Sequence, residues 1–205
     1  MPGVNTALLG LEDSNNILIG LNGKVKVWNW LHLYGQMAMD NTKAGGTAYQ
    51  AGLRMLHLGL ENFHLQAEYN YAPERTYRYD NWLQSYTHMN QSIAHPLGTY
   101  FEEIIGVANY RWRRFYGQFK YHHQTHENLQ NGNVLLSYEP EPQATLFSIN
   151  NIYDLQLGWF LTPKTNANLS VGWMHRNHSI GLISQNTDWL YFTLRTSLVN
   201  KYYDF

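Results

Sequence analysis

Residues 72–99 hold the side chains best equipped for chemistry, among them Tyr77, Tyr79, Trp82, Tyr86, Thr87, His88, Asn90, Gln91, His95 and Pro96. Rings beside amides and imidazoles suit sugar recognition. The C–H faces of a pyranose stack on aromatic rings, while its hydroxyls need donors and acceptors together. Trp82, Tyr86, His88, Asn90, Gln91 and His95 are therefore the candidate ligand-binding residues. The plainer reading is a loop that plugs a lumen or packs on its neighbours, since connections of this length are usually functional or folded inward.

Two other constellations invite sharper chemistry. His88, Asn90, Ser92 and His95 permit a hydrolase reading in which a histidine activates Ser92 and Asn90 orients the base. No recognisable nucleophile elbow surrounds Ser92, and a non-enzymatic protein is expected. His122, His123 and His126 invite a metal reading, but adjacent residues of a strand point to opposite sides, so a strand end entering a solvated loop explains them better. No phosphate loop, zinc motif or dinucleotide fingerprint is present, and neither a cofactor nor a metal is expected.

The elements that position these residues alternate with period 2. Phe63, Leu65, Ala67, Tyr69 and Tyr71 oppose His64, Gln66, Glu68 and Asn70. The same pattern runs through 17–27, 31–40, 115–122, 153–159, 168–176 and 190–198, with weaker candidates at 48–58 and 100–112. About nine strands are predicted. Short turns at 28–30, 59–61, 113–114 and 162–166 alternate with connections at 40–48, 72–99, 125–148 and 178–187.

Composition narrows the class. The chain has 205 residues, no cysteine, 15% aromatic and only 14% charged residues, and a net charge of −1. Near-neutrality argues against a nucleic-acid binder, the missing cysteines exclude disulfides and thiolate metal sites, and so many Trp, Tyr and Phe residues exclude disorder. Polar residues interrupt every apolar stretch before the roughly 18 residues that a membrane-spanning helix needs. A β-barrel needs only alternate residues to be apolar, so a mean hydropathy of −0.45 is compatible with one.

Short turns alternating with long loops are the rhythm of outer-membrane barrels. Trp28, Trp30, Tyr110, Trp112, Phe115, Trp159 and Trp189 cluster near predicted strand ends, where interfacial girdles sit. Lys24, Lys26, Arg54, Glu68, Arg111, Lys120, Asp154, Arg176 and Arg195 are expected on the inward face. The predicted class is thus all-β, an antiparallel transmembrane outer-membrane β-barrel. Nine is an odd number where bacterial single-chain barrels are even. Residues 1–205 are therefore expected to be the C-terminal part of a larger single barrel domain, the alternative being one strand missed or invented. A soluble aromatic-rich β-lectin would show the same alternation.

Four stretches resemble the capsule-assembly Wzi-like outer-membrane family and its gliding-motility relatives. They are Ile19-Gly20-Leu21-Asn22 with Leu33-Tyr34-Gly35-Gln36, the segment from Tyr86 to Gly98 containing His95-Pro96-Leu97-Gly98, the Tyr110-to-Tyr116 hairpin, and the ending from Leu194 to Phe205. The resemblance implies a bacterial outer-membrane barrel with an occluded lumen that anchors or organises surface or capsular polysaccharide, or that supports gliding and adhesion. Its implied partners are outer-membrane lipid, surface polysaccharide and other cell-surface or motility proteins, with no nucleic acid. A porin-like transport barrel for small solutes is the alternative. No catalytic residue carries over from the family.

Overall fold

Alternating side chains can be sorted only by a strand, which sends successive residues to opposite faces. The computed structural model describes residues 18–40, 46–74, 76–78, 85–89, 91–127, 146–162 and 165–196. In chain order the strands are β1 (Leu18–Trp28), β2 (Leu31–Asp40), β3 (Thr47–Leu56), β4 (Phe63–Ala72), β5 (Thr87–His88), β6 (Gln91–Ser92), β7 (Phe101–Trp112), β8 (Phe115–Glu127), β9 (Phe147–Thr162), β10 (Ala167–Ile180) and β11 (Ile183–Arg195). Nine of them form one antiparallel sheet in the order β1-β2-β3-β4-β7-β8-β9-β10-β11, and β5 pairs with β6 alone. The fold is all-β. Among the described residues the sheet does not close, so β1 and β11 are its two edges.

Register carries the sorting from strand to strand. Lys26, His32, Arg54 and Gln66 stand opposite one another in succession, as do Val107, Lys120, Asp154 and Met174. All nine charged residues expected on the inward side share this polar face. The opposite face carries Leu21, Val25, Leu33, Leu155, Leu157, Val171, Leu190, Phe192 and Leu194, all exposed.

Burial is the reverse of a water-soluble core. Among the described residues only five apolar side chains are buried, against thirteen polar ones that include Glu103, Arg78, Asn150 and Asp154. A soluble sheet hides its apolar face and wets its polar one. Here the polar face is the organised one.

The exposed apolar face is bordered by rings. At the end with the short turns lie Trp28 and Trp30, stacked at 5.4 Å, with Tyr110, Trp112, Phe115 and Trp159. Tyr49, Tyr69, Tyr71, Tyr121, Tyr153 and Trp173 form a second belt toward the other end. From Phe115 to Tyr121 the two belts are roughly 20 Å apart along the strand, at about 3.3 Å per residue. Trp189 corrects the sequence expectation: it stands opposite Met174 on the polar face, outside the belts.

The last hairpin differs too. Residues 178–187 read as a long connection, yet β10 and β11 run together through Ser179 and Ser184 to a tight turn at Gly181 and Leu182. The cause lies in polarity. Beyond the second belt the formerly apolar face carries His123, Asn151, His175, Asn177, Asn186 and Asp188, so the alternation disappears while the pairing continues. His123 Nδ1 lies 2.7 Å from Asn151 Oδ1, His175 Nδ1 lies 2.8 Å from Asp188 Oδ1, and Asn177 Nδ2 donates to Asn186 Oδ1 at 2.6 Å. These cross-strand bonds replace the apolar contacts that hold the sheet lower down.

Three tyrosines lock the polar face by the same device. Tyr34, Tyr116 and Tyr191 stand directly opposite Gly52, Gly158 and Gly172. Each ring lies so close over its glycine that an added Cβ would meet it at 2.3, 2.3 and 2.1 Å. Having crossed one strand, each hydroxyl donates to the next: Tyr34 to Glu68 at 2.6 Å, Tyr116 to Asn168 at 2.9 Å and Tyr191 to Asp154 at 2.6 Å. An aromatic ring covering a bare glycine restores the packing that glycine forfeits.

Gly158→Ala is expected to destabilise the protein by about 1–3 kcal/mol, as an overpacked site does. The roughly 0.5–1 kcal/mol that alanine ordinarily gains over glycine in a strand does not offset it. Gly106→Ala, whose new Cβ meets its nearest neighbour at 3.8 Å, should be neutral or better. Denaturant titration of both variants, and of Gly158→Ala combined with Tyr116→Ala, checks this. Additivity in the double variant would remove the ring-over-glycine account.

Candidate functional site

Between β4 and β7 the chain crosses back over the polar face, and small residues make room for it. Ala38 and Ala48 face each other across β2 and β3, and Ala72 stands opposite Phe101. Into this gap comes Tyr77, forming with these four residues the buried apolar cluster of the protein's described part, edged by Leu18 and Leu97. Tyr77 has a left-handed backbone, φ 66°. Its N–H donates to Asp40 Oδ2 at 3.1 Å. Burial, then the charge of Asp40 and the neighbouring Tyr86, push its phenol above the ordinary tyrosine range.

From that anchor the loop folds on itself. Tyr86 N–H donates to the Tyr77 carbonyl at 2.9 Å, and the Tyr86 carbonyl accepts from Ile93 N–H at 3.2 Å. The two phenol rings lie 6.2 Å apart. Farther on, Thr99 Oγ1 donates to the Pro73 carbonyl at 2.8 Å, closing the base of the loop.

His95 is the second point of attachment. Its ring stacks on Phe101 at 4.3 Å. Leu97 N–H donates to Nδ1 at 3.2 Å, so that nitrogen carries no proton and Nε2–H faces Glu103 Oε2 at 3.2 Å. Glu103 also accepts from Asn70 at 2.9 Å and from Gln124 at 2.8 Å. Three donors on a carboxylate that is only 3% exposed are what make its burial tolerable.

Glu103 belongs to a chain of side chains crossing the polar face. Gln50 and Asn70 donate to Glu68 Oε1 at 2.9 and 3.0 Å. On the far side Gln124 Oε1 accepts from Asn150 at 3.1 Å, and Asn150 Oδ1 accepts from Arg176 Nε at 2.9 Å. From Tyr34 on β2 to Arg176 on β10 the hydrogen bonds run unbroken. Sequence reading placed Tyr34, Glu68, Asn70 and Arg176 on the polar side but did not mark Glu103, Gln124 or Asn150. The available signal was their parity, since all occupy polar-face positions of the alternation.

The candidate binding residues are distributed unevenly over this loop. His95 is drawn down onto Glu103 and holds the loop, and Tyr86 stays exposed beside Tyr77. His88 and Gln91 stand opposite each other at the exposed end of the small β5–β6 hairpin, with Met89 at its tip in a left-handed turn, φ 48°. Trp82 and Asn90 lie outside the described residues. The structure thus joins Tyr86 and His95 through Tyr77 and the cluster beneath it, while His88 and Gln91 form a separate outward-facing pair.

For the rival chemistries the geometry is equally specific. Ser92 Oγ is buried and has no hydrogen-bond partner among the described residues, so neither His88 nor His95 activates it in this arrangement. His122 shares the polar face with Ile105 and Ile152, whereas the adjacent His123 lies on the other face against Asn151. Among the described residues, two cavities on the polar face bear on the site. One of about 80 Å3 lies under the loop between Gln36, Asn70, Tyr77 and His95. The other, about 260 Å3, lies nearer the short turns and is lined by Lys24, His32, Tyr34, Arg54, Gln66 and Glu68.

Fold and site together define an antiparallel all-β protein with an exposed apolar face and a hydrogen-bonded polar face on which a long loop is docked. Compared with protein-family models, curated proteins and solved structures, the chain matches none.

Proposed function

We propose that the chain forms part of the wall of a bacterial outer-membrane β-barrel that binds or organises surface polysaccharide, in the manner of the Wzi-like family it resembles. The observation that carries this reading is the inverted distribution of polarity. An exposed apolar band bordered by two aromatic belts suits lipid, and a polar face whose buried carboxylates are hydrogen-bonded suits a wet lumen. Strands of 10–13 residues, as in β1 to β4 and β7 to β8, are long enough to cross a bilayer at a tilt. The docked loop favours an occluded lumen over an open pore, and the exposed His88, Gln91 and Tyr86 supply the ring, imidazole and amide groups that sugar recognition uses.

Expression of the complete reading frame, followed by membrane fractionation and gel mobility with and without heating, tests the proposal. A heat-modifiable species in the outer membrane is the expected result. A stable soluble monomer would mean that the apolar face is covered by protein, and the reading would fail. The transport alternative predicts stable open steps in planar bilayers, where the occluded barrel predicts none.

A further inference from the structure

The larger cavity lies where the charges on the polar face do not balance. Lys26 on β1, His32 on β2 and Arg54 on β3 are direct cross-strand neighbours, and Lys24 stands opposite Tyr34 one step along. Lys24, Lys26 and Arg54 thus gather three cations at one end of this face, where an anion would relieve their mutual repulsion. The carboxylate of the cavity, Glu68, is already engaged by Tyr34, Gln50 and Asn70. Arg54 for its part donates Nη2 to the neutral Gln66 Oε1 at 3.1 Å.

We propose that Lys24, His32 and Arg54 form a binding site on the polar face for an anionic sugar unit, a uronate or similarly charged residue of a polysaccharide. The inference deepens the proposed polysaccharide reading and rests on it. Arg54 presents the forked donor set that grips a carboxylate. Lys24 supplies a second positive charge from the neighbouring edge. Gln66, whose amide donates one N–H to the Tyr34 hydroxyl at 3.0 Å, keeps a second N–H to donate, and the Tyr34 oxygen keeps a lone pair to accept, as ring hydroxyls require. A volume of about 260 Å3 falls just below the range that takes a drug-sized ligand, which suits a single pyranose rather than a long segment. The competing account is that lysines merely blunt an edge strand against unwanted pairing. That account gives Arg54 and His32 no part, since both lie on interior strands.

Calorimetric titration of the full chain, folded in detergent and checked for heat-modifiable mobility, distinguishes these accounts. The probes are trigalacturonate, maltotriose and inorganic phosphate. Trigalacturonate is expected to bind, and to weaken at least about tenfold both in Lys24→Gln/Arg54→Gln and on raising the salt severalfold. Maltotriose should bind at least tenfold more weakly. Lys24→Gln/Lys26→Gln, which leaves the hydrogen bonds of Arg54 intact, should weaken trigalacturonate severalfold and serves if the first variant misfolds. Unchanged affinity in either folded variant overturns the site. Phosphate binding as tight as trigalacturonate reduces it to an anion site without sugar recognition and overturns the saccharide assignment. Failure of the wild-type chain to give a heat-modifiable membrane species would instead remove the polysaccharide-barrel reading on which the site rests.

Discussion

Leu155→Arg should cost about 2–4 kcal/mol in lipid vesicles, the penalty for an arginine near the bilayer midplane on the outer face of a barrel. Leu155 is exposed on β9 between the two aromatic belts, two residues from Tyr153 and four from Trp159. Its cross-strand neighbours are Phe119 and Trp173, which offer the guanidinium no carboxylate. In water the same substitution at so exposed a position would lie within about 0.5 kcal/mol of neutral. Leu182→Arg, at the fully exposed tip of the β10–β11 turn, is the control and should be silent in both settings. Denaturant titration of the vesicle-folded protein measures both, and a value for Leu155→Arg as small as the control's would falsify the lipid-facing assignment of the apolar face.

The period of the sequence made most of the sheet legible. On β4 the alternation is unbroken from Phe63 to Tyr71, and β1, β2 and β7 lie within a residue of their predicted starts, because wherever one face is apolar and the other polar the strand leaves a direct trace. That trace fails beyond the second aromatic belt. In β9 the first six residues, from Phe147, precede the predicted start, because Asn151 and Ile152 reverse the alternation there, and in β11 seven residues from Ile183 precede it, because Asn186 and Asp188 make both faces polar.

The polar face itself was half legible. Its parity was plain from single residues such as Glu68 and Asp154. Which of them touch depends on register between strands, and register depends on turn geometry that periodicity does not encode. Neither did spacing reveal that Tyr34, Tyr116 and Tyr191 each lie over a glycine, because partners such as Tyr116 and Gly158 are far apart in the chain and meet only through pairing. For the loop, composition pointed to the right segment but not to its inner division. Tyr77 and His95 are held on the sheet while His88 and Gln91 face outward, a difference set by the small residues Ala38, Ala48 and Ala72 on other strands.

Those alanines make Tyr77→Ala the second decisive change. Truncating a large buried aromatic side chain typically costs 3–5 kcal/mol where the surroundings cannot collapse into the space. Here Ala38 and Ala48 have nothing to reach with, and Phe101 is held by its stack with His95. The sheet does not depend on Tyr77 for any strand pairing, so the loss falls on docking of the loop, a local opening separate from global unfolding. A penalty of about 3 kcal/mol corresponds to roughly a hundredfold larger open population. Protease cleavage within 73–100 and amide exchange at Tyr86 and Ile93, whose N–H groups bond to the loop's own carbonyls, should quicken by that order, with the exchange of β8 and β9 unchanged. If loop and strands quicken together, Tyr77 stabilises the whole sheet; if neither changes, His95 and its bond to Glu103 hold the loop alone. The same variant, reconstituted in planar bilayers, is expected to show open steps absent from the wild type, because a loop released from the polar face no longer fills the lumen it is proposed to occlude.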